Sequence, residues 1–417
     1  MIKAIRGFKD ILPGETEKWV YLENLARKFF LNYGFREIRL PVLEKTELFA
    51  RSIGETTDIV EKEMYTFLDR SQESLTLRPE ATAGICRAVI ENGLYAQAKI
   101  LKLFTIGPMF RYERPQKGRL RQFHQLNAEV FGSQVPGTDA EIIILACDIL
   151  EGGGAKKLKL EINSLGCPKC RPAFRDALQK FLKGLKDKLC EDCRRRAEKN
   201  PLRALDCKNE TCQALYNEAP LIEDFWCEEC REHFLRVLND LEIVGLSYQK
   251  NPRLVRGLDY YVRTTFEIKA PNLGAQDTVA AGGRYDGLLK ALGGPDLPGV
   301  GFAIGMERFL LVADLPEELA IKIDLFVAAL GEPARQRILP LVHNLRKLGL
   351  AVDLDHEGRS LKAQLKQANR LKARYTLIVG ENELSENKAL LRDMESGVQE
   401  EIPLQSLEDS LFKRLKR

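Results

Sequence analysis

Apolar residues recur at helical spacing from Thr16 to Tyr33, where Trp19, Leu22, Ala26, Phe29 and Tyr33 share one face, so the chain predicts an amphipathic helix stopped by Gly34. The period then changes to alternation over 35–44, a strand in which Pro41 cannot donate a ladder hydrogen bond and so marks an edge or a bulge. Residues 76–84 read as a strand end feeding a helix that Thr82 or Glu80 could cap. Two runs of β-formers, 104–110 and 123–131, flank a long loop punctuated by Pro115 and Gly118 and predict a hairpin. A turn at 255–261 leads into a strand at 262–268, 280–288 reads as a glycine-rich turn entering a helix, and 299–310 as a glycine-rich strand entering another. From about Lys322, apolar strands at 325–330, 350–354 and 375–379 alternate with helices at 335–348 and 360–372, the pattern of a small α/β domain with a mostly parallel sheet.

Chemistry concentrates at the punctuation. The loop from Arg111 to Arg121 carries five basic side chains, which implies an anionic ligand or a solvated basic tip. Strand periodicity puts Phe123, Gln125, Asn127, Glu129 and Phe131 on one face, and a buried Glu129 would require a cationic or hydrogen-bonding partner. Glu80 and Thr82 could hold an ammonium group instead of capping their helix. Arg256 presents a fork of donors suited to phosphate or carboxylate, while Tyr260 and Tyr261, as neighbours on a strand, would face opposite sides. Arg284 with Asp286 reads as a surface ion pair. The glycines of 299–305 do not match a dinucleotide fingerprint, and there is no Walker A sequence; alternating glycines on a strand would let a flat ligand lie against the backbone.

Composition narrows the setting. A chain of 417 residues, 44% hydrophobic and 30% charged, has room for two or three globular domains. A net charge of only +4 confines nucleic-acid binding to local patches, such as the helix face of Lys362, Lys366 and Arg370. With no signal peptide or membrane span in view, a cytoplasmic protein is expected. Eight of the ten cysteines fall between 165 and 234, within a helical, charged stretch. In a reducing compartment they point to free thiols or to zinc, with Cys167 and Cys170 joining Cys190 and Cys193, and Cys207 and Cys212 joining Cys227 and Cys230.

Taken in order, Gly34-Phe35 through Pro41 to Glu44, then Phe110-Arg111-x-Glu113 with Arg119 and Phe123, then Gly301 to Gly305 with Glu307-Arg308, resemble the three motifs of the class II aminoacyl-tRNA synthetases. Residues 256–261 and 282–287 look like the two signatures of that family's histidyl branch. The resemblance spans nearly the whole chain. Ala81 departs from it where a glycine is common, and Ala303, between the motif 3 glycines, is usual in the branch.

The resemblance implies an α+β catalytic domain with an antiparallel sheet, built from 1–165 and 235–320, a Cys-rich helical insertion at 166–234 and a C-terminal α/β anticodon-binding domain at 322–417. It implies a homodimer joined through the first motif, and ATP-dependent ligation of L-histidine to tRNA(His) through a histidyl adenylate. Arg111 would bind the α-phosphate, Glu113 the adenine, Phe123 and Arg308 would sandwich the adenine ring, and Arg119 or Arg121 would reach the γ-phosphate. Glu80, Thr82 and Gln125 would hold the amino group of histidine and Glu129 with Tyr261 its imidazole, beside Tyr260. Arg256 and Arg111 would act in the transition state, with Mg2+ on the pyrophosphate end. One rival is a synthetase-like, histidine-binding regulatory subunit of ATP phosphoribosyltransferase; such paralogues usually lack the C-terminal domain and erode the stretch from Arg256 to Tyr261. Another is a nucleic-acid-binding protein acting through the insertion, whose acidic Cys190-Glu191-Asp192 and Cys227-Glu228-Glu229 argue against it.

Overall fold

The first helix, Thr16–Asn32, ends where the sequence says it should, because Gly34 takes a left-handed φ of +79° and the amide of Phe35 returns to the Phe30 carbonyl at 2.9 Å. It buries Trp19, Leu22, Ala26 and Phe30, and the ring of Phe30 stacks on Phe104 at 4.5 Å between centroids. A computed structural model describes residues 2–54, 57–274, 277–316, 319 and 323–416. The chain divides into two units, Met1–Glu317 and Glu318–Arg417. The junction expected at 320–322 lies outside the described residues.

The first unit is organised on an eight-stranded sheet. Its spatial order is Arg36–Glu37, Leu101–Phe110, Gln122–Phe131, Gly299–Gly305, Thr278–Arg284, Val262–Lys269, Lys159–Ser164 and Gln249–Lys250. The inner pairings are all antiparallel, and only the two short edge strands run parallel to their neighbours. The helix Pro136–Gly152, apolar nearly all round, packs between the sheet, the first helix and the helix Glu228–Ile243.

The single strand expected over 35–44 is instead two short ones in different sheets. Arg36–Glu37 joins the large sheet, and Leu43–Lys45 joins a three-stranded sheet with Ser74–Leu77 and Tyr65–Leu68. Pro41 interrupts the ladder, and the buried Arg78 takes over by donating to the carbonyls of Leu40 at 3.2 Å and Pro41 at 3.4 Å.

Arg284 is not a surface residue. It ends the strand Thr278–Arg284, so those glycines lie in a strand and not in a turn, and its side chain is 0% exposed. It forks onto Asp139 in the first turn of Pro136–Gly152, donates to the Ser133 carbonyl at 2.8 Å and reaches Asp286 at 3.1 Å. Asp139 is also bonded by Thr264 at 2.6 Å and His233 at 2.8 Å, so both of its oxygens are satisfied in the interior.

Between Ser164 and Gln249 the chain leaves the sheet as the helices Arg171–Gly184, Glu191–Lys199 and Glu210–Leu215 and returns along Glu228–Ile243. The second unit has a five-stranded sheet in the order Val352–Leu354, Leu325–Ala329, Tyr375–Val379, Lys388–Asp393, Gln399–Pro403. The first three strands are parallel, joined through Glu332–Lys347 and Leu361–Arg370. The last two form an antiparallel hairpin whose only fully buried side chains are Ala389, Leu391 and Ile402, too few to announce it in the sequence.

Removing one partner of the buried pair leaves the other charge in a dry interior. Asp139→Ala is therefore expected to lower unfolding stability by about 3–5 kcal/mol; a urea midpoint close to wild type would contradict this.

Candidate active site

The hairpin Leu101–Phe110 and Gln122–Phe131 carries one wall of the site, and the strand Gly299–Gly305 lies beside it in a register that pairs Glu129 with Gly301, Asn127 with Ala303 and Gln125 with Gly305. Each polar side chain thus stands next to a residue with little or no side chain. The result is a trough that forms part of a cavity of about 750 Å³. Gly301 and Gly305 both line the cavity; a Cβ at Gly301 would collide with the Glu129 carboxylate, while at Gly305 the nearest atom to a Cβ would be the Val279 carbonyl, 3.9 Å away.

Glu80, Thr82, Gln125, Glu129, Tyr260 and Tyr261 all line the cavity. Glu80 caps the helix Thr82–Glu91, accepting the amides of Thr82 at 2.6 Å and Ala83 at 2.7 Å, and this frees the Thr82 hydroxyl to donate to Glu129 at 2.7 Å. The other oxygen of Glu129 accepts the hydroxyl of Tyr285 at 2.5 Å. Burial is the main influence on Glu129; it outweighs the two hydroxyls and, with the nearby charge of Glu80, pushes the carboxyl up to about 8. Tyr260 and Tyr261 do not face opposite sides. Both precede the strand Val262–Lys269, their rings lie 4.7 Å apart, and both line the cavity. Burial raises both phenols, Tyr261 to about 12, so each is a neutral donor.

Arg111, Glu113, Arg119, Phe123, Arg256 and Arg308 line it as well. Arg111 donates to the Pro79 carbonyl at 2.8 Å and lies over the Phe123 ring, 5.3 Å from its centroid. Arg119 pairs with Glu113, and Arg308 donates to the carbonyls of Gly118 at 3.1 Å and Thr278 at 2.6 Å. Burial holds Arg111, Arg119 and Arg308 below the usual arginine value, and each is lowered further by a neighbouring arginine. Arg256 is opposed by burial but lifted above its ordinary value by Glu267, with which it pairs; its Nε is buried without a partner, as are Gln125 Oε1 and Asn127 Oδ1. Arg121 is the exception among the expected residues. It does not line the cavity, because its guanidinium lies 3.8 Å from the centre of the Tyr112 ring and donates to the Glu113 carbonyl at 3.1 Å.

Tyr285 was not singled out in the sequence. It sits just past a strand end, where alternation no longer says which way a side chain points.

The cysteines gather as two tetrads, but not as their order suggests. Cys167 and Cys170 meet Cys227 and Cys230, while Cys190 and Cys193 meet Cys207 and Cys212, the sulfurs of each set all within 4.8 Å of one another. The 14-residue helix Arg171–Gly184 carries the chain about 21 Å away from the first pair, so only the returning segment can complete it. Each tetrad could hold one metal ion. Lys362, Lys366 and Arg370 lie in the second unit, exposed on the helix Leu361–Arg370 opposite the buried Gln364 and Ala368. Among the described residues no helix is long and apolar enough to cross a membrane.

The sequence pattern of the histidyl-tRNA synthetase family matches residues 7–309, and that of an anticodon-binding domain matches 324–414. A histidine–tRNA ligase of Geobacter sulfurreducens is 53% identical over 405 residues, covering 97% of this chain and 98% of its own. The crystal structure of the apo histidyl-tRNA synthetase of S. aureus is similar with a TM-score of 0.84 and 38% identity, over 99% of this chain and all of that one. A structure from Bacillus halodurans, described as an ATP phosphoribosyltransferase regulatory subunit/histidyl-tRNA synthetase, shares the fold at a TM-score of 0.67 and 21% identity, over 91% of this chain and 98% of its own.

The raised carboxyl of Glu129 has a measurable consequence. The folded, substrate-free protein keeps this proton up to about pH 8, whereas an unfolded chain releases it near 4.5, so the contribution is fully present below 4.5 and lost as pH rises towards 8. Within that window it should cost stability about 1.4 kcal/mol per pH unit. Glu129→Gln is expected to flatten this slope in denaturation midpoints taken between pH 5 and 8; parallel profiles for mutant and wild type would refute it.

Proposed function

The chain belongs to the histidyl-tRNA synthetase family, and from that premise we propose how the residues of its cavity divide the work. The activity is that of a class II aminoacyl-tRNA synthetase, a histidine–tRNA ligase that uses ATP. In the proposed reaction the carboxylate of histidine attacks the α-phosphorus of ATP in line and pyrophosphate leaves. The histidyl adenylate then passes its acyl group to the terminal ribose of tRNA(His), releasing AMP. No protein nucleophile takes part.

One observation carries the assignment of ends. Arg111, Arg119, Arg256 and Arg308 converge in one cavity, where three of them are held below their ordinary value by burial and by one another. Such a cluster is relieved by a polyanion, and ATP, taken as its magnesium complex with the metal on the pyrophosphate end, supplies one. Phe123 stacks against the adenine with Arg308 on the other face, and Glu113 receives the adenine amino group. Arg256 and Arg111 meet the charge that develops at the α-phosphate.

Histidine takes the opposite end. Its imidazole offers two ring nitrogens, one to Glu129 and one to Tyr261, with Tyr260 packed beside them. Thr82 and Tyr285 already fix both oxygens of Glu129, so the carboxyl is oriented before the substrate arrives. Glu80, Thr82 and Gln125 receive the ammonium group; the cap bonds of Glu80 leave lone pairs on each oxygen for that purpose. A site whose buried polar groups need this ring to be satisfied rejects analogues lacking it by about 10⁴ or more.

The four thiolates of each tetrad suit zinc. Three sulfur separations of 3.6, 3.9 and 3.8 Å match the edge of about 3.8 Å of a tetrahedron with Zn–S near 2.3 Å. We read the working enzyme as a cytoplasmic homodimer whose second unit binds tRNA through Lys362, Lys366 and Arg370. The regulatory-subunit reading has less support: the match to an anticodon-binding domain covers 324–414, and the stretch from Arg256 to Tyr261 is intact.

Histidine-dependent exchange of pyrophosphate into ATP, run without tRNA, tests the reading directly, and absence of exchange in a folded protein that binds histidine would favour the regulatory subunit. Arg256→Ala should slow that exchange by about 10²–10³-fold while weakening ATP binding far less; a near wild-type rate would remove Arg256 from the transition state. Lys366→Glu combined with Arg370→Glu should weaken tRNA charging and spare adenylation, and an equal loss in both steps would count against this tRNA surface.

A further inference from the structure

The two tetrads stand in different relations to the cavity. Cys167, Cys170, Cys227 and Cys230 close the root of the insertion, joining the segment that leaves the sheet to the one that returns. Cys190 and Cys207, from the other tetrad, are themselves part of the cavity wall. The chain between the two halves of this second tetrad carries several of the insertion's contacts with the catalytic unit, beside the one that Arg171, next to Cys170, makes by donating to the Tyr261 carbonyl at 2.9 Å. Arg196 pairs with Asp58 at 2.7 Å, Asn200 donates to Asp259 at 3.0 Å, and Arg203 donates to the backbone carbonyl of Arg256 at 2.9 Å. Arg203 is buried, with Asp58 at 3.7 Å and Asp206 at 3.4 Å completing its charge.

This segment therefore behaves as a strut. Its two ends are the cysteine pairs, its middle carries the three contacts, and one contact holds the backbone of the arginine assigned to the α-phosphate. Its own packing is modest in the helix Glu191–Lys199, which buries Cys193 and Ala197, and closer in the 3₁₀ stretch Pro201–Asp206, which buries Pro201, Leu202, Arg203 and Ala204. Backbone amides already point at the sulfurs, that of Cys190 at Cys212 Sγ at 3.3 Å and that of Asn209 at Cys207 Sγ at 3.4 Å, as donors that would stabilise thiolate charge around a metal.

We propose that zinc bound by Cys190, Cys193, Cys207 and Cys212 fixes this strut against the backbone of Arg256, so that occupancy of this one tetrad sets the rate of adenylation while the other serves the fold. The proposal rests on the adenylation reading of the cavity and on the zinc reading of the tetrads. Arg203 is then a positioning residue, acting through Arg256 and not on the substrate.

The test uses the full-length protein and two readouts, zinc per chain by elemental mass spectrometry and the kinetics of histidine-dependent pyrophosphate exchange. Wild type should carry one zinc per tetrad. Cys193→Ser should lose one equivalent, with kcat for exchange down by about 10–100-fold and histidine binding little changed. Cys170→Ser should also lose one equivalent yet keep its kcat. Arg203→Ala should keep both ions and reproduce the kinetic loss of Cys193→Ser, with partial recovery in Arg203→Lys. Loss of zinc from Cys193→Ser with unaltered exchange, or unaltered exchange in Arg203→Ala, would overturn the strut; the second holds even if Cys193→Ser fails to fold. A metal-free or iron-containing wild type would overturn the zinc reading, and a zinc-loaded wild type without exchange would overturn the adenylation reading instead.

Discussion

A single buried carboxylate sets the terms for much of this molecule. Glu129 lies on an inner strand, and its oxygens occupy the space that a side chain at residue 301 would fill. A carboxyl in such a place needs donors, and they come from two distant parts of the chain, Thr82 and Tyr285. Thr82 can donate because Glu80, not Thr82, caps the helix that begins there. Tyr285 is held in place because the preceding Arg284 is locked to Asp139 in the interior. Four stretches of chain are thus tied together around one carboxyl, and the packing that orders this part of the cavity wall is the same packing that orders the sheet.

The arginine cluster of the same cavity is built on tension. Burying several arginines near one another is unfavourable, and the protein moderates this with Glu63, Glu113 and Glu267 while leaving polar valences on Arg256 and Gln125 unmet. A site of this kind is pre-organised for a polyanion because the donors are already oriented and already desolvated. A hydroxyl-braced carboxyl and a crowded cationic cluster thus share a single cavity.

The insertion adds a third constraint. It reaches Asp58, Asp259 and the backbone of Arg256 through polar contacts made by a short run of residues bracketed by cysteines. Arg203 is the buried member of this run, and ordering the segment that presents it carries an entropic cost.

Local pattern was sufficient for the elements and for the inventory of chemical groups. The first helix, the hairpin at the basic loop, the helical insertion and the parallel part of the second unit all follow from period and punctuation, and the order of the motifs placed most of the site residues on one cavity. What local pattern left open was chiefly a choice of partner. Spacing identified paired cysteines but not which pairs meet; alternation put Glu129 and Gln125 on one face but could not bring Tyr285 to Glu129, or show that Arg284 is buried and that Arg121 turns away to Tyr112. The hairpin Lys388–Asp393 with Gln399–Pro403 escaped notice because it buries so little. Periodicity is a property of neighbours along the chain, whereas the order of strands in the sheet, which sets 122–131 beside 299–305, is decided by the burial of whole faces at once, and only that order says which groups share a space.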